Sequence, residues 1–344
     1  MFTSNDAPVM TPSELVAALD CAIEANLAPF IWGDSGIGKS NVIQQYGAAT
    51  NRELRDLRAV QLDPVDLRGL PAVKDDVTRW LPPAFLPTSG RGILFLDELP
   101  AAPAMVQAAM YELVLDRRIG QEYSLPEEWV VVAAGNPASV KGVHFAMPYP
   151  LRSRFAHFTL VPDVDEWCKW ALKKNIHPLV IAYHRSKRDA LHRPPTQDVN
   201  AWPSPRTWEM ASRAYTSAVG KGMPEPAIYK LLAGIIGVSA ASEFLAFVGL
   251  TSELPPIEAI LLNPDTAPLP TRPDTRIAVA TALGRMIRPH NIAQAVTYLK
   301  RMAAVNDEPE YIAVAIRDAA ARDERITLTH EFSEFAIDFQ GVLV

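Results

Sequence analysis

Eight residues, Gly33-Asp34-Ser35-Gly36-Ile37-Gly38-Lys39-Ser40, spell G-x-x-x-x-G-K-S. A loop of this kind can cradle a polyphosphate. Its glycines let backbone N–H groups turn inward, its lysine reaches the β- and γ-phosphates, and its serine hydroxyl binds Mg²⁺. With the following Asn41, these positions form the expected ATP-binding set. A second chemical feature is Asp97-Glu98, which closes the apolar run Ile93-Leu94-Phe95-Leu96. A strand there would deliver Asp97 next to Ser40, so that both hold Mg²⁺, partly through water, while Glu98 polarises the water that attacks the γ-phosphate. Asn136 follows another apolar run and could orient that water. Arg152 and Arg154 are candidates for arginine fingers that reach the γ-phosphate of a neighbouring subunit. Arg206 follows Ser204-Pro205 and could report nucleotide state to a second domain.

These residues need elements to position them. Pro29-Phe30-Ile31-Trp32 reads as the end of a buried strand, and 40–49 as a helix with Val42, Ile43 and Tyr46 on one face. Thr11 as cap, Pro12 in the first turn and Glu14 three residues on start a helix before that strand. A second strand is expected over 57–62, a central one over 93–96, a helix over 104–115, a buried strand over 130–134 and an edge strand over 155–160. Strands alternating with helices predict an α/β fold with a parallel sheet. After Pro162 the pattern becomes helical: 163–183, then 206 to about 248, then helices near 275–288, 291–304 and 308–321. Phe332, Phe335 and Phe339 share one face of a last short element over 331–339. Two Pro-rich stretches, 193–205 and 254–273, read as links.

Composition narrows the functional classes. The 344 residues allow two domains with ample core. A net charge of −6 counts against a generally basic nucleic-acid-binding surface. Cys21 and Cys168 are too few for a disulfide framework and point to a reducing, cytoplasmic setting. The longest apolar stretch, 228–248, is broken by Lys230, Gly234, Gly237 and Glu243, which fits a buried helical hairpin better than a membrane span. His177, His184 and His192, followed by Asp198, lack a tight zinc spacing and read as packing or surface histidines. Trp167, Trp170, Trp202 and Trp208 read as core of the helical half. Lys173-Lys174 and the segment 185–193 form a basic patch that reads as solvated helix faces.

Together these residues resemble the AAA+ ATPases, and within them the MoxR-like group that includes the CbbQ and NorQ activators. GDSGIGKS (33–40) is similar to the Walker A motif, ILFLDE (93–98) to Walker B and AAGNP (133–137) to sensor 1. LRSRF (151–155) is similar to the arginine-finger segment, and SPRTW (204–208) to sensor 2. Residues 63–71 with 80–86 look like the helix-2 insert, and 118–126 like the pre-sensor-1 hairpin. The resemblance covers about 10 to 250. It implies a five-stranded parallel sheet flanked by helices over 1–161 and an all-α lid over 162–253. A helical extension over 254–344 goes beyond the usual lid. It also implies a homo-oligomeric ring, usually a hexamer, that binds ATP and Mg²⁺ between subunits and remodels a protein client, commonly with a von Willebrand factor A-domain partner. The family's finger motif has an acidic residue before Arg-Phe where this chain has Ser153, so the finger is Arg152 or Arg154, with Arg154 favoured. Two rival readings are a nucleic-acid motor or loader, disfavoured by the acidic charge, and an ATP-gated assembly scaffold, disfavoured by an intact Glu98.

Overall fold

The computed structural model describes residues 7–74, 76–138, 145–195, 199–251, 256–305 and 308–338. The chain divides into two compact units, 1–162 and 163–344.

The first unit opens with β1 (Val9–Met10) and α1 (Pro12–Glu24). Thr11 and Glu14 close the expected capping box on α1. There follow β2 (Ala28–Trp32), α2 (Lys39–Ala49), β3 (Glu53–Arg58), a short α3 (Pro64–Arg68) and a hairpin of β4 (Leu70–Lys74) and β5 (Val77–Leu81). Then come β6 (Gly92–Asp97), α4 (Ala104–Asp116), a two-residue hairpin of β7 (Arg118–Ile119) and β8 (Tyr123–Ser124), β9 (Trp129–Gly135), α5 (Tyr149–Arg152) and β10 (Phe155–Leu160).

The main sheet is parallel, in the order β1-β10-β2-β9-β6-β3. It contains the five expected strands plus β1, two residues that cover the outer edge of β10. β6 and β9 are buried nearly end to end, as central strands under helices on both faces must be. One face packs Leu15, Ile31, Ile43, Phe95 and Val132 with α1 and α2; the other packs Phe30, Leu94, Leu96, Met110 and Ala133 with α4.

One strand differs from expectation. The second strand is β3, 53–58, and 59–61 form a single 3₁₀ turn. Glu53, Arg55, Asp56 and Arg58 line this edge strand, so no apolar alternation marks it. Its register against β6, from Glu53 on Gly92 to Arg58 on Asp97, sets it instead.

The second unit is helical: α6 (Val164–Lys173), α7 (Pro178–Ser186), α8 (Pro205–Gly220), α9 (Glu225–Ile236), α10 (Val238–Thr251), α11 (Ile257–Leu262), α12 (Pro273–Met286), α13 (Ile292–Ala304), α14 (Glu310–Arg322) and α15 (His330–Asp338). The helical stretch expected over 163–183 is two helices. Asn175 turns left-handed (φ 56°) and Pro178 restarts the chain in the first turn of α7. The second Pro-rich link contains α11, whose Ile260 is fully buried. Of the sequence expectations, Asp198, Leu254, Pro255 and Phe339 lie outside the described residues.

Helices from either side of residue 253 share contacts. Ala278 of α12 enters the core built on Trp208, Tyr183 and Phe244. Arg185 of α7 makes a bidentate pair with Asp318 of α14, both contacts 2.6 Å, and donates to Thr281 of α12 at 2.9 Å. No helix is long and apolar enough to cross a membrane among the described residues.

Candidate nucleotide site

The loop after β2 turns on positive-φ backbone, and Gly38 (φ 103°) stands at the N-cap of α2. A side chain would be strained at that angle, so glycine is required there for geometric reasons. The loop is tied to the sheet by the Gly33 N–H, which donates to the Gly135 carbonyl at 3.2 Å. Lys39 opens α2 and is buried. Its Nζ donates to the Gly33 carbonyl (2.8 Å), the Asp34 carbonyl (3.0 Å) and Oδ1 of Asn136 (2.8 Å). Ser40 Oγ donates to Asp97 Oδ2 at 2.9 Å. The other carboxylate oxygen accepts the Glu98 N–H at 2.9 Å, which fixes the plane of the group.

Four expected residues, on loop, helix and two strand ends, therefore meet at one end of the sheet: Lys39, Ser40, Asp97 and Asn136. Glu98 follows directly and is exposed. Its backbone is left-handed (φ 57°, ψ 30°), a conformation that a non-glycine residue adopts at a cost of about 1–3 kcal/mol and that clusters at functional sites. The donor set fits a polyphosphate with a hard divalent cation. It offers an ammonium and the loop's backbone amides to phosphate oxygens, and a hydroxyl and a carboxylate as oxygen ligands for the metal. Asn41 is exposed, and its side chain is bonded to Gln45 within α2.

The arginine segment is joined to this end of the sheet by a relay that the sequence did not disclose. Trp32 Nε1 donates to His157 Nδ1 at 3.0 Å. That bond leaves the ring proton on Nε2, which donates to the Arg152 carbonyl at 2.8 Å. Burial holds the His157 pKa below its ordinary value, so the relay stays neutral. Arg152 is half-buried, with its guanidinium 5.9 Å from the Tyr149 ring centroid. Arg154 is exposed, and no side-chain partner is recorded for it among the described residues. Arg206 lies in the second unit, in the first turn of α8 beside the Ser204–Thr207 capping box, and is exposed.

Two further charged residues border the site. Arg58 is in register with Asp97 across β3 and β6, and Asp56 lies two residues earlier on the same face. The Asp56 carboxyl is pushed above its usual value by partial desolvation and then by the Asp97 and Glu98 charges, against the pull of Arg58. Charged residues two apart on a strand beside the acidic strand end were the available signal.

The segments read as insert and hairpin are both antiparallel. Among the described residues β4 and β5 pair only with each other, and β7 with β8. Gly69 (φ 81°) precedes β4, where a Cβ would fall 1.9 Å from the Leu81 carbonyl oxygen. Arg117, itself left-handed (φ 57°), donates to the carbonyls of Pro126, Glu127 and Trp129, which anchors the β7–β8 hairpin at the foot of β9. Among the described residues no group of three or more His, Cys, Asp or Glu could hold a metal. His184 is buried among Trp167, Tyr183 and Trp208.

Residues 29–155 match the AAA domain of the dynein-related subfamily. The match starts within β2 and ends at the first residue of β10, so the matched region contains the loop, both strand ends and the arginine segment. No curated protein matches the chain significantly. Among solved structures, a RuvB variant from Thermotoga maritima is similar at 16% identity, with 78% of this chain and 80% of that chain covered and a TM-score of 0.41. NtrX from Brucella abortus in complex with ADP is similar at 13% identity, with 96% and 68% covered and a TM-score of 0.41.

Proposed function

We propose that the chain is a MoxR-like AAA+ ATPase that hydrolyses ATP between subunits of a homo-oligomeric ring, hexameric in the family's usual form, and uses the cycle to remodel a protein client. The observation that carries this reading is the pair of contacts Lys39–Asn136 and Ser40–Asp97, which join the phosphate loop to two strand ends with Glu98 alongside. In this reading Gly33 to Ser40 and Asn41 bind ATP, and Ser40 and Asp97 hold Mg²⁺. Held there, Mg²⁺ would supply charge neutralisation to the phosphate groups. Glu98 takes a proton from the attacking water, and Asn136 fixes the water's orientation. Arg154, or Arg152 in its place, reaches the next subunit's nucleotide. Arg206 couples the nucleotide to the lid, 162–253, with 254–344 as a helical extension. A von Willebrand factor A-domain protein is the partner class that the subgroup suggests, and a cytoplasmic location suits the two unpaired cysteines.

The test is Mg²⁺-dependent phosphate release across a range of protein concentrations. Glu98→Gln is expected to abolish turnover while nucleotide still binds, and Lys39→Ala to abolish binding. Arg154→Ala is expected to lower turnover by about 10³-fold or more and to be rescued in mixed rings with Lys39→Ala subunits. Unchanged phosphate release in Glu98→Gln would overturn the hydrolytic assignment.

A further inference from the structure

The second unit gathers positive charge at one spot. Arg285 sits in the last turn of α12, Arg288 two residues past its end, and Arg322 at the C-terminal end of α14. Arg288 Nη1 donates to the carbonyls of Arg285 and Ile287, both at 2.8 Å. Arg322 Nη2 donates to the same Ile287 oxygen at 2.6 Å, so two guanidinium groups converge on one carbonyl. Arg285 Nη1 donates to the carbonyl of Ile176 at 2.5 Å, the residue directly after exposed Lys173-Lys174-Asn175. The ends of α6, α12 and α14 thus meet with basic side chains.

Helix C-termini attract cations, and the carbonyl bonds account for part of this arrangement. They do not account for its unbalanced charge. None of Arg285, Arg288 and Arg322 has a carboxylate partner among the described residues. The two nearby carboxylates are already engaged: Asp318 with Arg185 through two 2.6 Å bonds, and Asp323 with Arg325 at 2.9 and 2.8 Å. Partial desolvation, followed by the charges of Arg288 and Arg285, lowers the basicity of Arg322, as mutual repulsion requires. Each guanidinium has five N–H donors, and these bonds use only one or two.

We propose that Arg285, Arg288 and Arg322 form a docking site for paired carboxylates on an acidic, partly apolar protein segment. Paired guanidinium forks match carboxylates in bidentate geometry. Met286, exposed and placed between Arg285 and Arg288 in the sequence, offers an apolar contact beside them. Nucleic acid fits less well. Among the described residues, the large exposed side chains of this unit include no aromatic ring on which a base could stack, and the chain carries a net charge of −6. The site stands apart from the ATPase reading and needs no nucleotide.

The test is fluorescence anisotropy with the full chain and a fluorescein-labelled peptide of alternating Glu and Leu, without nucleotide and at low salt. The wild type should bind this peptide but not its Lys–Leu counterpart. The Arg288→Gln/Arg322→Gln variant keeps N–H donors for the Ile287 carbonyl and should bind roughly tenfold more weakly or worse. If that variant melts early by circular dichroism, Arg322→Gln alone, at an exposed helix end, should still weaken binding. Absence of wild-type binding, or equal binding by the folded variants, overturns the proposal. Stronger binding of single-stranded DNA or of inorganic phosphate than of the Glu–Leu peptide also overturns it, in favour of a phosphate ligand.

Discussion

At the scale of single residues, the Trp32–His157–Arg152 relay shows how a side chain outside every motif sets the position of one inside. The P-loop strand and the arginine segment are neighbours in the sheet, with His157 in register with Phe30. A neutral imidazole can accept from one and donate to the other. His157→Phe fills the space but leaves the Trp32 N–H and the Arg152 carbonyl unpaired. Urea denaturation should register a loss of about 1–3 kcal/mol. Glu98 is the other residue whose backbone matters. Its left-handed conformation places the proposed base on the outer side of a turn, while Asp97 stays aimed at Ser40. Neither feature is legible in the sequence, because hydrogen-bond partners 125 positions apart and a single strained angle have no local pattern. The contrast with Lys39, Ser40, Asp97 and Asn136 is instructive. Those were legible because phosphate chemistry demands particular residue types at the ends of apolar runs.

At the scale of elements, the same logic separates what could be read from what could not. The runs 93–96 and 130–134 are central strands, and their continuous apolar character reports burial on both faces. β3 carries four charged residues on an edge and became visible only through its pairing with β6. Of the two hairpins, family resemblance singled out 118–126 as a hairpin and 63–71 with 80–86 only as an insert, since strands of two to five residues have too little periodicity to declare themselves. Between helices, the Arg185–Asp318 pair links α7 to α14, with Thr281 of α12 as a third partner. Both charges are largely buried, with side-chain exposures of 13% and 5%, so removal of one strands the other. Asp318→Ala should therefore cost about 3–5 kcal/mol, while Arg185→Met with Asp318→Leu should recover much of that loss. Thermal melts of the single and double variants provide the comparison.

At the scale of the whole molecule, buried histidines set a direction for pH dependence. Burial depresses His184 to about 3 and His177 to about 4, against an ordinary value of 6.5. Above that ordinary value neither group contributes. Below it the unfolded chain binds protons that the folded chain refuses, so stability falls with pH by about 1.4 kcal/mol per pH unit for each histidine until the folded values are reached. Urea midpoints measured downward from neutral pH should show this slope, and His184→Phe should reduce it.

The hairpin of β4 and β5 has a different consequence. Leu70, Val73 and Leu81 are 72, 81 and 58% exposed, and among the described residues the two strands pair with nothing but each other. A two-stranded ribbon in water is marginally stable by itself. Its amides should then exchange with deuterium through local opening while those of β6 and β9 wait for global unfolding. Mass spectrometry of the exchanging chain would see 70–81 label early, and slower labelling of that segment on addition of a partner would report contact there directly.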